Sequence, residues 1–269
     1  INVYKEKGFT SFDVVAKLRG ILHQKKIGHT GTLDPDAEGV LPVCLGKATK
    51  VCELLTDRDK EYETVLLLGQ STDTQDVTGA VTATAEVNVP EETVRKTIDE
   101  FVGEIMQIPP MYSALKVDGR KLCDLAREGI TVERKPRRIE IFEIVILGID
   151  LPRVRMRVHC SKGTYIRTLC HDIGERLGCH GCMGSLVRTR AAGFTLADAH
   201  RLGEIEELLA SKAGKKVFVD DILIKVDNLF SQYPAVRVSM DADKLVRNGN
   251  RIPERLVQLT EREDSSAHS

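Results

Sequence analysis

The stretch from Gly28 to Pro42 carries three glycines and two prolines in fifteen residues, so neither a helical nor a strand period can run through it. An ordered, turn-rich loop is expected there. A helix from Thr10 or Ser11, with Val14, Val15, Leu18, Ile21 and Leu22 on one face, should deliver the chain to it. Asp34 precedes Pro35, which biases its backbone toward the extended region and can hold its carboxylate outward. The plainer alternative is an ordinary Asp-Pro turn with His29 as a surface histidine, and the loop alone leaves both readings open.

At 269 residues and 42% hydrophobic content, the chain can bury a core as one large domain, or as one domain with a smaller companion. No apolar run nears the length of a bilayer span and no signal-peptide pattern opens the sequence. A soluble, cytoplasmic protein with no membrane association is expected. A start at Ile1 is expected to reflect a trimmed native N-terminus. The seven cysteines should then be reduced thiols. Cys179 and Cys182, with Cys170, His171 and His180 nearby, have zinc-ligand chemistry, but no second Cys-x-x-Cys pair accompanies them and no metal is assigned. Neither Lys162-Gly163 nor Gly46-Lys47-Ala48 has the spacing of a nucleotide-binding phosphate loop. The net charge of −1 gives no global pull toward nucleic acid, so an RNA site must rest on local clusters. Candidates are Arg134, Lys135, Arg137 and Arg138 in one run, and Arg153, Arg155 and Arg157 at alternate positions.

Downstream, helical and strand patterns interleave. Val65 to Gly69 read as a buried strand with Tyr62 at its mouth, where on pattern alone tyrosine is a packing residue. Pro90 to Val102 read as a helix, Asp118-Gly119 as a turn, and Arg120 to Glu128 as a short helix stopped by Gly129. Val154, Met156, Val158 and Cys160 alternate with Arg153, Arg155, Arg157 and His159, as a half-buried strand requires. The arginine row fits either a solvated face or a track for phosphates. Ser161 to Leu169 read as a turn opening a helix that continues to about Leu177, and Leu196 to Leu229 as helices with a polar insertion at Ser211 to Lys216.

The run His29-Thr30-Gly31-Thr32-Leu33-Asp34-Pro35, followed by Ala37 to Pro42 and Gly46 to Lys50, resembles the signature of the TruB family of tRNA pseudouridine synthases. Lys60-Glu61-Tyr62, Ser71 to Gly79, Ile108 to Val117, Ser161 to Leu169 and Leu186 to Phe194 resemble its further motifs, with Val187 where an arginine is usual. The resemblance implies an α/β (α+β) pseudouridine synthase fold: a central, mostly antiparallel mixed sheet flanked by helices, crossed by the active cleft. Residues 1–230 would form the catalytic domain. Residues 231–269, opening with Tyr233-Pro234-Ala235-Val236-Arg237-Val238, would form a PUA-like RNA-binding segment, small or cut short.

The resemblance also implies that uridine 55 of the tRNA T-loop is isomerised to pseudouridine, with no cofactor or metal, by a monomer that engages the tRNA T-arm and needs no protein partner. Asp34, Tyr62 and Arg167 would be catalytic. Asp34 attacks C1′ or removes the C2′ proton, Tyr62 stacks on the uracil and is placed to take its C5 proton, and Arg167 grips Asp34 and lowers its pKa. His29 would fill the vacancy left by the flipped base and Leu186 would pack on the uracil's other side. Thr30, Lys50, Asp76, Tyr165 and Arg188 complete the implied substrate-binding set, with Lys50 on a phosphate or bracing the loop, Asp76 helping to hold the reacting residues and Tyr165 lining the pocket. Two rivals remain at this level: a noncatalytic tRNA-binding or tRNA-folding protein on the same scaffold, and a carboxylate-dependent hydrolase using Asp36 or Glu38 as second acid.

Overall fold

Thr10 begins the first helix as its chemistry predicts. Its hydroxyl accepts from the Asp13 amide at 3.0 Å while the Asp13 carboxylate accepts from the Thr10 amide at 2.8 Å. This reciprocal cap contributes about 1 kcal/mol to helix α1 (Ser11–Leu22). Val14, Val15 and Leu18 are buried along one face. The computed structural model describes residues 1–211 and 213–260. Lys212, in the polar insertion expected at Ser211 to Lys216, and residues 261–269, the end of the expected PUA-like segment, lie outside the described residues.

The chain divides into two compact units, Ile1–Ile222 and Leu223–Ser269. In the first, β1 (Asn2–Lys5), β2 (Ile27–His29), β3 (Glu38–Leu45) and β4 (Lys60–Leu68) enter one nine-stranded sheet. The short helix α2 (Cys52–Thr56) lies between the last two. A hairpin of β5 (Gln70–Thr72) and β6 (Val81–Thr84) precedes α3 (Glu91–Asp99), which leads into β7 (Gly103–Gln107). A two-residue hairpin, β8 (Lys116–Val117) and β9 (Arg120–Lys121), turns at Asp118-Gly119 ahead of α4 (Leu122–Arg127). The long antiparallel pair β10 (Arg137–Asp150) and β11 (Arg153–Cys160) then leads to α5 (Ile166–Leu177), β12 (Gly181–Ala191), β13 (Phe194–Thr195) and α6 (Leu202–Ala210). The strand order is β1-β3-β12-β4-β11-β10-β7, with β2 beside β3 and β13 beside β12. The pairings are antiparallel except β12 with β3, so the sheet is mixed and mostly antiparallel, as expected. In the second unit, β14 (Ala235–Val238) pairs antiparallel with β15 (Val257–Thr260).

The two-residue period decides which side chains meet. On β4, Tyr62, Thr64, Leu66 and Leu68 share the buried phase with Val154, Met156, Val158 and Cys160 of β11, and α3 and α5 pack over that face. Arg153, Arg155 and Arg157 therefore occupy the opposite face, where Arg157 lies 3.8 Å from both Glu61 and Glu143.

The Gly28 to Pro42 stretch departs from the expected loop, because β3 takes in its last five residues. Gly39 is what allows this. Its φ is +106°, and a Cβ there would stand 2.2 Å from the Arg188 carbonyl oxygen on β12, its parallel neighbour. Pro42 falls between the residues of β3 that pair with β12 and those that pair with β2, where a residue lacking an N–H is accommodated. The true loop is Thr30 to Ala37, and it carries Asp34.

Candidate active site

The Asp34 loop is held from both sides of the acid. Ser11 Oγ accepts from the Leu33 amide at 2.9 Å and donates to the Leu33 carbonyl at 3.3 Å. The buried Lys5 ammonium donates to the carbonyls of Glu6, Phe9 and Pro35 at 3.1, 2.6 and 3.0 Å, spending all three of its protons. Burial draws the Lys5 pKa down to about 8, against the pull of Glu38 and Asp34. The Asp34 carbonyl closes the turn by accepting from the Ala37 amide at 3.1 Å. Asp34 thus has its neighbours fixed while its own side chain stays 40% exposed.

Arg167, the second residue of α5 and only 5% exposed, reaches that carboxylate with a fork: Nε lies 2.9 Å from Oδ2 and Nη2 donates to Oδ1 at 3.3 Å. Two further protons go to the Thr74 carbonyl at 2.9 Å and the Tyr112 carbonyl at 2.7 Å. One guanidinium thereby ties the Asp34 loop to the β5–β6 hairpin and to the segment before β8. Asp76 approaches Arg167 Nε at 3.9 Å through Oδ2, while its Oδ1 accepts from Thr74 Oγ1 at 2.8 Å and from Thr78. The expectation that Arg167 would give Asp34 a low pKa is corrected here. Burial raises the Asp34 pKa and outweighs Arg167, and Asp76 adds to the rise.

Tyr62, on β4, stands opposite Arg188 on β12, which in turn stands opposite Gly39 on β3. Arg188 is 1% exposed; it donates to the Val40 carbonyl at 2.7 Å and the Gly31 carbonyl at 3.2 Å, and its positive charge acts on the Tyr62 hydroxyl. Burial raises the Tyr62 pKa more than Arg188 lowers it, so the resting group is a neutral phenol. Arg188, expected among the RNA contacts, lines the cleft, and its two carbonyl partners make it a brace of the loop beside Tyr62.

Two adjoining cavities of about 560 and 600 Å³ share Asp34, Arg167 and Leu186. The first is lined also by Tyr62 and Tyr165, with Arg137, Arg138 and Lys162 among its other lining residues, and the second by Asp76, Lys7, Lys121 and Arg127. Of the predicted set, the structure therefore gathers Asp34, Tyr62, Asp76, Tyr165, Arg167, Leu186 and Arg188 around one cleft. His29, Thr30 and Lys50 are not in its lining. His29 ends β2 and accepts from the Gly31 amide at 3.4 Å, and burial followed by Arg188 lowers its pKa, keeping the imidazole neutral. Thr30 is buried with an unpartnered hydroxyl, and Lys50 is exposed after β3. Asp36 pairs with Lys7 at 3.6 Å and Glu38 accepts from Tyr4 at 3.3 Å, so the acid nearest the Asp34–Arg167 fork is Asp76, not either hydrolase candidate.

Sequence reasoning missed Lys5, Ser11, Lys60 and Gln107. Only Lys60 carried a signal: it is in phase with Tyr62, Thr64 and Leu66, and it is buried, with its pKa drawn down to about 8 by burial and by Arg188. Its ammonium donates to the Thr56 and Arg58 carbonyls. Among the described residues no group of three or more His, Cys, Asp or Glu could hold a metal ion, and Cys170, Cys179 and Cys182 are buried free thiols. No helix among the described residues is long and apolar enough to cross a membrane.

A family model described as TruB family pseudouridylate synthase (N terminal domain) matches residues 19–166, and one described as tRNA pseudouridylate synthase B C-terminal domain matches residues 167–231. The tRNA pseudouridine synthase B of Lachnoclostridium phytofermentans is 56% identical, over 94% of this chain and 84% of that protein. That of Clostridium acetobutylicum is 44% identical, over 95% and 85% respectively. Among solved structures the chain is similar to one in a Cbf5-Nop10-Gar1 complex, with a TM-score of 0.70, 31% identity and 93% of this chain covered; it spans 66% of that chain, just under two thirds. It is similar also to one in an archaeal box H/ACA sRNP Nop10-Cbf5 complex, with a TM-score of 0.71 and 30% identity over 94% of this chain and 67% of that one.

Proposed function

The chain belongs to the TruB family of pseudouridylate synthases, and from that membership we propose that it is a tRNA pseudouridine synthase that isomerises uridine 55 of the T-loop. The observation that carries this reading is the Asp34–Arg167 fork, at 2.9 and 3.3 Å, on the shared wall of the two cavities. An ionised carboxylate with a fixed aim, still open to the cleft, is what cleavage at C1′ requires.

The target base leaves its stack at a cost of roughly a few kcal/mol. Tyr62 and Leu186 enclose the uracil, and Arg137, Arg138 and Lys162 at the cavity offer cations to the backbone. Asp34 then attacks C1′ or removes the C2′ proton, and on either route the N1–C1′ bond breaks. The freed uracil turns and the C5–C1′ bond forms, as the Asp34–C1′ bond breaks on the first route or as Asp34 returns the proton to C2′ on the second. At that stage C5 carries both the sugar and a proton, and loss of the proton restores the conjugated ring. Tyr62 takes that proton as its phenolate, reached from the resting phenol by release of its own proton to water, with the Arg188 cation beside its oxygen stabilising the anion. N1 gains a proton, so the sum is an isomerisation. Asp76 holds Arg167 from behind, and Tyr165 packs along the pocket.

On this reading residues 1–230 carry the reaction as a cytoplasmic monomer without metal or cofactor, and residues 231–269 form a short PUA-like segment that adds contact to the T-arm. The test is tritium release from C5-labelled uridine in a tRNA transcript by the native protein and by Asp34→Asn, with tRNA affinity measured alongside. Release by the native protein alone, with affinities within about threefold, is expected. Tight binding without release by either protein would favour the noncatalytic tRNA-binding reading.

A further inference from the structure

Gln107 ends β7, the outermost strand on its side of the sheet, opposite Arg137 of β10. Its side chain does not enter the cleft, yet the residue is only 2% exposed. The amide instead meets one peptide on both sides: Nε2 donates to the Tyr165 carbonyl at 3.0 Å, and Oε1 accepts from the Tyr165 amide at 2.8 Å. Paired strands exchange hydrogen bonds in this way. Here a single side chain stands in for the strand.

Tyr165 is the residue that starts α5. Its carbonyl also accepts the first bond of that helix, from the Leu169 amide at 3.0 Å, and no side chain caps the helix from within. Two residues further on, Arg167 holds Asp34. We propose that Gln107 is a positioning residue for the isomerisation, acting by clamping the Tyr165 peptide and so fixing both the Tyr165 ring and the Arg167 fork. The clamp needs a donor and an acceptor at the end of a three-carbon reach. Glutamine supplies both. Methionine keeps the shape and supplies neither, while an ionised glutamate keeps the acceptor but sets a negative charge against the Tyr165 carbonyl. A protonated glutamate restores both hydrogen bonds.

This inference rests on the pseudouridine synthase reading, and its test separates the two. Gln107→Met and Gln107→Glu are compared with the native protein for kcat and KM in tritium release between about pH 6 and 8, with melting and Tyr165 amide hydrogen exchange followed in parallel. For Gln107→Met, kcat is expected to fall about tenfold to a hundredfold with KM within about threefold, and Tyr165 exchange to quicken. For Gln107→Glu, kcat relative to native is expected to rise as pH falls, because protonation rebuilds the clamp. A Gln107→Met protein with native kcat and native exchange overturns the proposal. So does a Gln107→Glu to native ratio that is flat with pH in a folded protein, and that arm decides the matter if the methionine variant does not fold. If the native protein itself releases no tritium, the functional reading fails, and Tyr165 exchange still reports on the clamp.

Discussion

Replacing Arg167 with lysine keeps the charge and removes the fork. The guanidinium makes four contacts: two to Asp34 at 2.9 and 3.3 Å, one to the Thr74 carbonyl at 2.9 Å and one to the Tyr112 carbonyl at 2.7 Å. Those acceptors belong to three separate segments, and an ammonium is a point charge that cannot address all of them at once. If lysine recovers half of the contacts, two charge-assisted hydrogen bonds are lost at about 1.5–3 kcal/mol each. Asp34 is 40% exposed, so water takes over part of its share, and a net destabilisation of about 2–4 kcal/mol follows. The larger effect is on aim: a carboxylate displaced by about 1 Å loses on the order of a hundredfold in kcat. Arg167 faces Asp34 and two carbonyls, so KM should stay within about threefold. Urea unfolding measures the first quantity and tritium release the other two. A lysine variant with kcat within tenfold of native would refute the idea that the fork sets the geometry of the reaction.

The pH dependence has a definite sign. Only ionised Asp34 is active and burial raises its pKa, so kcat should fall on acidification with a midpoint above the ordinary value of 3.8. Asp76 contributes to that rise, and Asp76→Asn should move the midpoint down; an unmoved or higher midpoint in a pH–rate profile would contradict the assignment. Gly39→Ala should lower stability by about 2–5 kcal/mol, combining the positive φ with the overlap on Arg188. Gly8→Ala, at φ +88° with nothing within 4 Å of a Cβ, should lose only about 1–2 kcal/mol, and equal losses for the two in urea unfolding would show that the close approach is unimportant.

The sequence by itself determined what depends on neighbours along the chain. A helix start at Thr10 or Ser11, a half-buried strand from Arg153 to Cys160 and a turn at Asp118-Gly119 all follow from residues close in the chain, and the structure has all three. Its motifs also named Asp34, Tyr62 and Arg167, which the fold brings to one cleft although they are spread over three distant segments. What local pattern could not hold is register. That Tyr62 faces Arg188 and Arg188 faces Gly39 follows from how three strands align, with a bulge in β12 beside them, and it is this alignment that turns Arg188 inward and draws Gly39 and Pro42 into a strand. Electrostatics required the fold as well. An arginine beside an aspartate suggests a low pKa, but only the packed loop reveals how much water the carboxylate has lost, and that loss outweighs the cation. Lys5, Ser11 and Gln107 were silent in the sequence for the same reason: each acts on a backbone group that tertiary structure alone brings within reach.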